Sequence, residues 1–214
     1  MSRLRFKISM SLDGYVAGPG QSVEQPLGAG GQRLHEWVFG LAVFRAAHGM
    51  EGGGVSASTA VVEESLHNIG ATIMGRNMFG GHPGPWQAAQ PWNGWWGDNP
   101  PFHHPVFVLT HHPRAPLELE GGTTFYFVTD GPLAALELAR AAAGGKDVSL
   151  AGGAAAAQQY LAAGLVDEMD INLVPILLGS GERLFNGVGS DMHGLELVRT
   201  LAAPGVTHLK YSRP

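Results

Sequence analysis

The order of apolar segments is the feature that most constrains what this chain can fold into. Short strand-like runs alternate with helix-like segments through the middle, and two strands of alternating pattern follow near the end. Strands are predicted over residues 4–10, 71–75, 106–110, 124–129, 147–150, 166–174 and 206–211. Helices are predicted over residues 33–47, 58–69, 131–143 and 154–163. This order predicts an α/β fold with a mostly parallel central sheet, flanking helices and antiparallel C-terminal strands.

Length and composition narrow the class of protein. A chain of 214 residues favours a single domain over residues 1–214. The net charge of −5 argues against non-specific binding of nucleic acid, and the lack of cysteine excludes disulfides, cysteine nucleophiles and cysteine-based metal sites. No apolar run is long enough to cross a bilayer, and the N-terminus lacks the apolar core of a signal peptide. We therefore expect a cytoplasmic protein that contacts neither membrane nor nucleic acid.

Two adjacent glycines separate a predicted strand from a predicted helix. Gly152 and Gly153 precede Ala154, which begins the helix. Glycines let a phosphate approach the backbone, and the N-terminus of a helix attracts anions. The same pair also suits a tight turn that needs a positive φ, and the full GxGxxG spacing is absent. Phosphate binding and a simple turn therefore both remain open.

Two further strand ends carry polar residues. Gly75 and Arg76 follow one strand, and Thr110, His111 and His112 follow the next. Ligands of open α/β sheets collect at the carboxyl ends of strands, and arginine offers a bidentate fork to phosphate. These residues are candidates for binding a phosphorylated cofactor, and a solvated loop charge is the alternative for each.

Asp13 follows the first strand, in the segment Ser11–Gly14. A carboxyl group there could protonate a substrate, provided that burial raises its pKa. The alternative is an Asp-Gly turn, in which the carboxylate bonds to nearby backbone.

A long loop over residues 80–105 contains four tryptophans and two adjacent histidines. The tryptophans could stack on a flat ligand, form a hydrophobic plug or mediate a subunit contact. His103 and His104, with His111 and His112, suggest a metal site, but adjacent histidines of a strand point to opposite faces. No HExxH motif is present, so no metal ligand is assigned.

Several segments together resemble the dihydrofolate reductase-like superfamily, and in particular the reductase domain of riboflavin biosynthesis. The segment ISMSLDGYVA at residues 8–17 resembles the family's N-terminal signature, and IMGR at 73–76 resembles the MGR segment of dihydrofolate reductases. Gly152-Gly153, LVDE at 165–168 and PILLGSG at 175–181 are similar to the end of the riboflavin reductase domain. The similarity covers nearly the whole chain in the expected order.

The resemblance implies a dihydrofolate reductase-like fold, a homodimer, and hydride transfer from NADPH to a small heterocycle. In the riboflavin branch that substrate is 5-amino-6-(5-phosphoribosylamino)uracil. The resemblance also implies that Arg76 and the Thr110–His112 turn bind the 2′-phosphate and that Gly152–Ala154 faces the pyrophosphate. Ser9 and Met10 are expected near the nicotinamide.

The chain departs from the family pattern in two respects. It carries no deaminase domain, and it has a Trp-rich loop after the MGR segment instead of an Asp-Asp-Pro substrate segment. The main prediction is an NADPH-dependent reductase of that branch or one with a dihydrofolate reductase-like activity. Its rivals are a non-catalytic NADP(H)-binding protein and a histidine-based metal hydrolase.

Overall fold

A computed structural model describes residues 2–87 and 91–214 of the chain. The strands are β1 Leu4–Ser11, β2 Tyr15–Ala17, β3 Ile69–Gly75, β4 Pro105–Leu109, β5 Leu117–Glu118, β6 Thr124–Val128, β7 Asp147–Gly152, β8 Glu168–Val174, β9 Glu182–Arg183, β10 Glu196–Ala203 and β11 Val206–Ser212. The α-helices are α1 Glu36–Phe39, α2 Ala42–Ala47, α3 Ala57–Leu66, α4 Arg76–Phe79, α5 Gly131–Ala142 and α6 Ala154–Ala162, and 3-10 helices span Gly31–His35 and Glu120–Gly122.

One sheet contains nine of these strands, in the order β10-β11-β8-β1-β7-β3-β4-β6-β5. The six strands from β8 to β6 pair in parallel, whereas β5, β10 and β11 add antiparallel pairs at the two edges. The predicted α/β architecture is therefore confirmed. Because the six parallel strands end at the same edge of the sheet, the segments that follow them lie close together.

Helices α5 and α6 cover one face of the sheet. The core on this side includes fully buried Phe6, Ile73 and Leu150 from the strands, with Ala139 and Tyr160 from the helices. Small alanines on both helices let the backbones approach the sheet closely. This packing fixes where α6 begins, directly beyond the end of β7.

The opposite face of β3, β4 and β6 is covered by the Trp-rich loop. Met74, Val108 and Phe125 are fully buried there, and Trp86 and Trp96 pack against them. Of the three interpretations of this loop, the hydrophobic plug describes its main packing. Residues 88–90 of the loop lie outside the described residues.

The remaining part of that face, over β1, β8 and β11, is polar. Lys7 on β1 donates to Ser65 Oγ of α3 at 2.7 Å, and Lys210 on β11 pairs with Glu64 of α3 at 2.6 Å. Ion pairs and hydrogen bonds thus attach α3 to the sheet where apolar contacts are few.

The helix predicted over residues 58–69 ends at Leu66, because β3 already begins at Ile69. One other predicted helix and two missed elements also need correction. The helix over residues 33–47 is broken into a 3-10 helix, α1 and α2, because Leu41 is extended and forms a bridge with Gly54. The edge strand β10 was missed because most of its side chains are exposed. The small β2–β9 ribbon was missed because its two strands are far apart in sequence. In the described part of the chain, no helix is long and apolar enough for a membrane crossing.

Candidate functional site

A cavity of about 690 Å³ opens at the carboxyl edge of the parallel strands. Its walls include Ile8 of β1, Gly75 of β3, Leu109 of β4, Val128 of β6 and Ala151 of β7. A volume of this size lies in the range of small-molecule and cofactor sites, and the position is where α/β sheets bind ligands.

Most of the predicted cofactor residues meet in this cavity. The predicted residues that line it are Gly75, Arg76, Thr110, His111, His112, Gly153 and Ala154. Gly152 does not line the cavity, but it is the last residue of β7 and connects this strand to Gly153 and α6. Three separate strand ends therefore contribute residues to one cavity.

Gly153 caps the N-terminus of α6 and leaves space above it. Its φ of −70° is ordinary, no side chain caps the helix, and a Cβ built on it would meet nothing within 4 Å. The first N–H groups of a helix have no intrahelical partners, and Ala154, Ala155 and Ala156 line the cavity. We call Gly153–Ala156 the α6 cradle. A phosphate can approach this backbone without meeting a side chain.

Arg76 lines the cavity, but the loop that follows it already engages its guanidinium group. One terminal nitrogen donates to the carbonyl of Gly80, and the other donates to that of His82 at 2.8 Å. The guanidinium lies 3.8 Å from the ring centre of Trp86, and Arg114 lies 5.1 Å from the same ring. Burial and the nearby charge of Arg114 lower the pKa of Arg76. An anion bound here would offset both effects.

The turn after β4 is held in place from two sides. The backbone N–H of His112 donates to Thr110 Oγ1 at 3.1 Å, and Trp86 Nε1 donates to the His112 carbonyl at 2.8 Å. This second bond joins the turn to the ring that stacks on Arg76. Arg76 and the Thr110–His112 turn, both predicted to bind the 2′-phosphate, are thus connected through Trp86.

Ser9 and Met10 are not among the residues that line the cavity. Side chains of a strand alternate between faces, and the structure brings Ile8 to the cavity wall. Ser9 is buried and accepts a hydrogen bond from Trp37 Nε1 at 3.2 Å, while Met10 packs against the main core. At this position Ile8 is the residue that sequence reasoning missed.

Asp13 joins two segments that are far apart in sequence. Its carboxylate accepts hydrogen bonds from Ser11 Oγ at 2.5 Å and from the backbone N–H of Gly179 at 2.7 Å. The N–H of Leu178 adds a contact at 3.2 Å. We call this connection between residues 11–14 and 176–181 the SLDG clasp. It matches the turn interpretation of the sequence.

The raised pKa that an acid role for Asp13 requires is not found. The hydrogen bond from Ser11, followed by those from the Gly179 and Leu178 backbone, lowers the pKa of Asp13 to about 2. These donors all stabilise the charged form. Asp13 is therefore ionised near neutral pH and carries no proton to donate.

His103 and His104 contact different parts of the fold. His103 Nδ1 lies 2.8 Å from the Gly121 carbonyl, and His104 Nε2 lies 2.7 Å from Thr72 Oγ1. Burial lowers the pKa of His104 to about 4, so it is neutral near neutral pH. Within residues 2–87 and 91–214, no group of three or more His, Asp or Glu side chains is placed to hold a metal ion.

Sequence reasoning missed Gln21, Leu27 and His35 as cavity residues, whereas Trp95 and Trp96 belong to the loop that it singled out for stacking. Gln21 and Leu27 come from the loop after β2, His35 ends the 3-10 helix, and Trp95 and Trp96 come from the Trp-rich loop. Trp95 Nε1 donates to the Met78 carbonyl at 3.1 Å, which fixes the ring beside the cavity. The length of both loops was the available signal, since long loops in compact domains are usually functional.

The residues present fit a dinucleotide. The α6 cradle offers an open backbone that can bind a pyrophosphate. Arg76 and the Thr110–His112 turn lie to one side of the cradle, where they can bind a phosphorylated adenosine. The cavity continues on the other side to Ile8 and Val16, where a flat ring would meet apolar side chains.

Comparisons with known proteins agree with this geometry. A family model described as the RibD C-terminal domain matches residues 3–209. A search of curated protein sequences found no match. A solved structure from Shewanella sp. PV-4, assigned to riboflavin biosynthesis, superposes with a TM-score of 0.62 at 22% identity, over 100% of this chain and 99% of that one.

Two larger solved structures contain a similar domain. RibD of Acinetobacter baumannii (form 1) has a TM-score of 0.58 at 20% identity, over 100% of this chain and 58% of that one. A Thermotoga maritima protein described as a diaminohydroxyphosphoribosylaminopyrimidine deaminase/5-amino-6-(5-phosphoribosylamino)uracil reductase has a TM-score of 0.56 at 13% identity, over 100% and 57% of the two chains. This chain thus spans less than two thirds of either protein.

At these identities the solved structures establish the fold, and the family model establishes the relationship. The match begins before β1 and ends within β11, so it includes every element that lines the cavity. The predicted class, an NADPH-dependent oxidoreductase, is confirmed at the level of the family. The chain belongs to the RibD C-terminal domain family.

Proposed function

We propose that this protein reduces a small heterocyclic substrate with NADPH, and that its candidate substrate is 5-amino-6-(5-phosphoribosylamino)uracil. The observation that carries the proposal is the α6 cradle at the floor of a 690 Å³ cavity whose far end is apolar. The Thermotoga maritima neighbour is described as a reductase of this compound. A dihydrofolate reductase-like activity on a pterin is the second candidate.

In this proposal the chain's residues bind and orient the reactants. The α6 cradle holds the pyrophosphate, and Arg76 with the Thr110–His112 turn holds the 2′-phosphate. Ile8 and the apolar side chains beside it position the nicotinamide and exclude water from it. NADPH, when bound, supplies the hydride. Reduction of a C=N or C=O bond also needs a proton, which an ionised Asp13 does not supply.

Asp13 has a positioning role in this account. Through the SLDG clasp it fixes the end of β1 and the start of β2, and these segments carry Ile8, Val16 and Ala17 to the cavity wall. Its effect on turnover is therefore indirect.

A screen of cofactor oxidation tests the proposal. The purified protein is mixed with NADPH and, in turn, with the phosphoribosylaminouracil, its dephosphorylated form, dihydrofolate and pterin, and the loss of NADPH absorbance is followed. Turnover with a uracil compound supports the riboflavin branch, and turnover with dihydrofolate or pterin alone supports the second candidate. Binding of NADPH without turnover on any compound would instead support a non-catalytic NADP(H)-binding protein.

We also propose a single-domain protein that acts in the cytoplasm as a homodimer, on the basis of the family resemblance. Sedimentation equilibrium tests the dimer: a mass near twice the 22.5 kDa of the chain is expected, and a monomer at assay concentration would contradict it.

A further inference from the structure

His35 is held at the substrate end of the cavity by anchored neighbours. It ends the 3-10 helix Gly31–His35 and lines the cavity with Leu27 and Ile8. The preceding residue, Leu34, is fully buried in a cluster with Val174 and Val206. Because the residues before it are anchored in this way, the imidazole is placed at the wall by the fold.

The imidazole of His35 is half-buried and makes no hydrogen bond with any side chain or backbone group in residues 2–87 and 91–214. Other histidines of the chain are engaged: His208 contacts Ser58 and Asn172, and His104 contacts Thr72. A buried polar side chain normally has a partner. An imidazole that faces a cavity without one has its donor and acceptor available to a ligand.

The other titratable side chains that line the cavity lie elsewhere. Within the described residues they are Arg76, His111, His112 and Glu182. The first three follow β3 and β4, at the end assigned to the phosphorylated adenosine. Glu182 lies on the exposed β9 ribbon. His35 is thus the half-buried titratable group on the β1 side, where the cavity extends past Ile8.

We propose that His35 is a catalytic residue that contacts the substrate and donates the proton during reduction; this inference rests on the proposed function. As hydride adds to the carbon of the substrate C=N or C=O bond, with oxidation of NADPH to NADP⁺, the imidazolium N–H bond breaks and a new bond forms to the substrate nitrogen or oxygen. The products are a C–H bond, an N–H or O–H bond and a neutral imidazole. Solvent at the cavity mouth reprotonates the imidazole.

The surroundings of His35 predict how turnover depends on pH. Burial and the positive charge of Lys7 on β1 lower the pKa of His35. Of the other charged groups, Arg33 and Glu36 beside it in the chain are exposed, and Glu182 on β9 lines the same cavity. Because the acid form is the imidazolium, turnover should fall as the pH rises through the pKa of His35.

The test compares His35→Gln with the matched control His48→Gln, which replaces an exposed histidine remote from the cavity. With a compound that the wild type reduces, His35→Gln should lower kcat by about 10²-fold and remove the acid-dependent limb of the pH profile. NADPH affinity and the melting temperature should stay unchanged. His48→Gln should match the wild type in every measurement.

A second measurement does not depend on turnover. In cofactor-free protein, the imidazole resonances of His35 are followed by NMR during titration with the same compound, and they should shift together with the pKa of His35. Wild-type kcat and pH profile in His35→Gln, or unchanged resonances at saturation, would overturn the role of His35 and leave the proposed function intact. If the wild type oxidises NADPH with none of the compounds tested, both the role of His35 and the proposed function are overturned.

Discussion

The SLDG clasp and the α6 cradle are both glycine-containing turns that follow strands of the same sheet, yet they use their polar groups in opposite ways. In the clasp, a carboxylate, a hydroxyl and two backbone N–H groups satisfy one another. In the cradle, no side chain caps the helix and a Cβ at Gly153 would meet nothing within 4 Å. Polar groups that bond to one another stabilise a fold, whereas polar groups without a partner in the protein are available to a ligand.

Substitution of a glycine in each region distinguishes the stabilising role of the clasp from the ligand-binding role of the cradle. A Cβ at Gly181, the last residue of the clasp, would lie 2.1 Å from the Ala17 carbonyl oxygen, and the φ of Gly181 is +123°. Gly181→Ala should therefore lower the free energy of unfolding by about 1–3 kcal/mol, measured by urea denaturation. Gly179→Ala is the matched control, because its φ is +76° and a Cβ there meets nothing within 4 Å. If the free energy of unfolding falls no more in Gly181→Ala than in Gly179→Ala, this account of the clasp is contradicted.

Gly153→Val tests the cradle. Gly153 has a φ that valine adopts without strain, so the variant should fold and keep its melting temperature. Its side chain would occupy the space above the helix N-terminus, and NADPH affinity should fall by about tenfold to a hundredfold, or about 1.4–2.8 kcal/mol. Calorimetric titration of both proteins measures this. Unchanged affinity in a folded variant would mean that the two glycines form only a turn.

Asp13→Asn should have the smallest effect on turnover. Asparagine keeps an acceptor oxygen, so the clasp is weakened but not broken, and the pH profile of turnover should keep its shape. A fall of about 10²–10⁴-fold with a changed profile would instead identify Asp13 as the acid.

Acid stability sharpens the same test. The pKa of Asp13 in the folded protein, about 2, lies below its ordinary value. Its carboxylate therefore stabilises the fold above that ordinary value, and this contribution is lost as the pH falls towards 2. Between these limits the unfolding free energy of the wild type should fall more steeply with decreasing pH than that of Asp13→Asn. Equal slopes would show that the clasp does not depend on the ionised carboxylate.

The contrast also explains what the sequence predicts and what it does not. The strand–glycine–helix order around Gly153 is local, so the cradle is predictable from neighbouring residues. The role of Asp13 depends partly on Leu178 and Gly179, which are more than 160 residues away, so the clasp could not be predicted from neighbouring residues alone.

The substrate end of the cavity is the least predictable part. His35 lines the cavity from the segment after β2 and Trp95 lines it from the Trp-rich loop, and neither carries a motif. Their positions follow from burial of Leu34 and from the indole hydrogen bond of Trp95 to the Met78 carbonyl, which are properties of the folded chain.

The central claim is that the cavity binds NADPH through its phosphates, and a fluorescence titration tests it most directly. Trp95 and Trp96 line the cavity, so binding should quench tryptophan emission and transfer energy to the reduced nicotinamide. The account predicts that NADPH binds more tightly than NADH by about tenfold to a hundredfold, since a charge-assisted hydrogen bond contributes about 1.5–3 kcal/mol. It also predicts that Arg76→Ala reduces this difference in affinity between the two cofactors. Equal dissociation constants for the two cofactors in the wild type would contradict it.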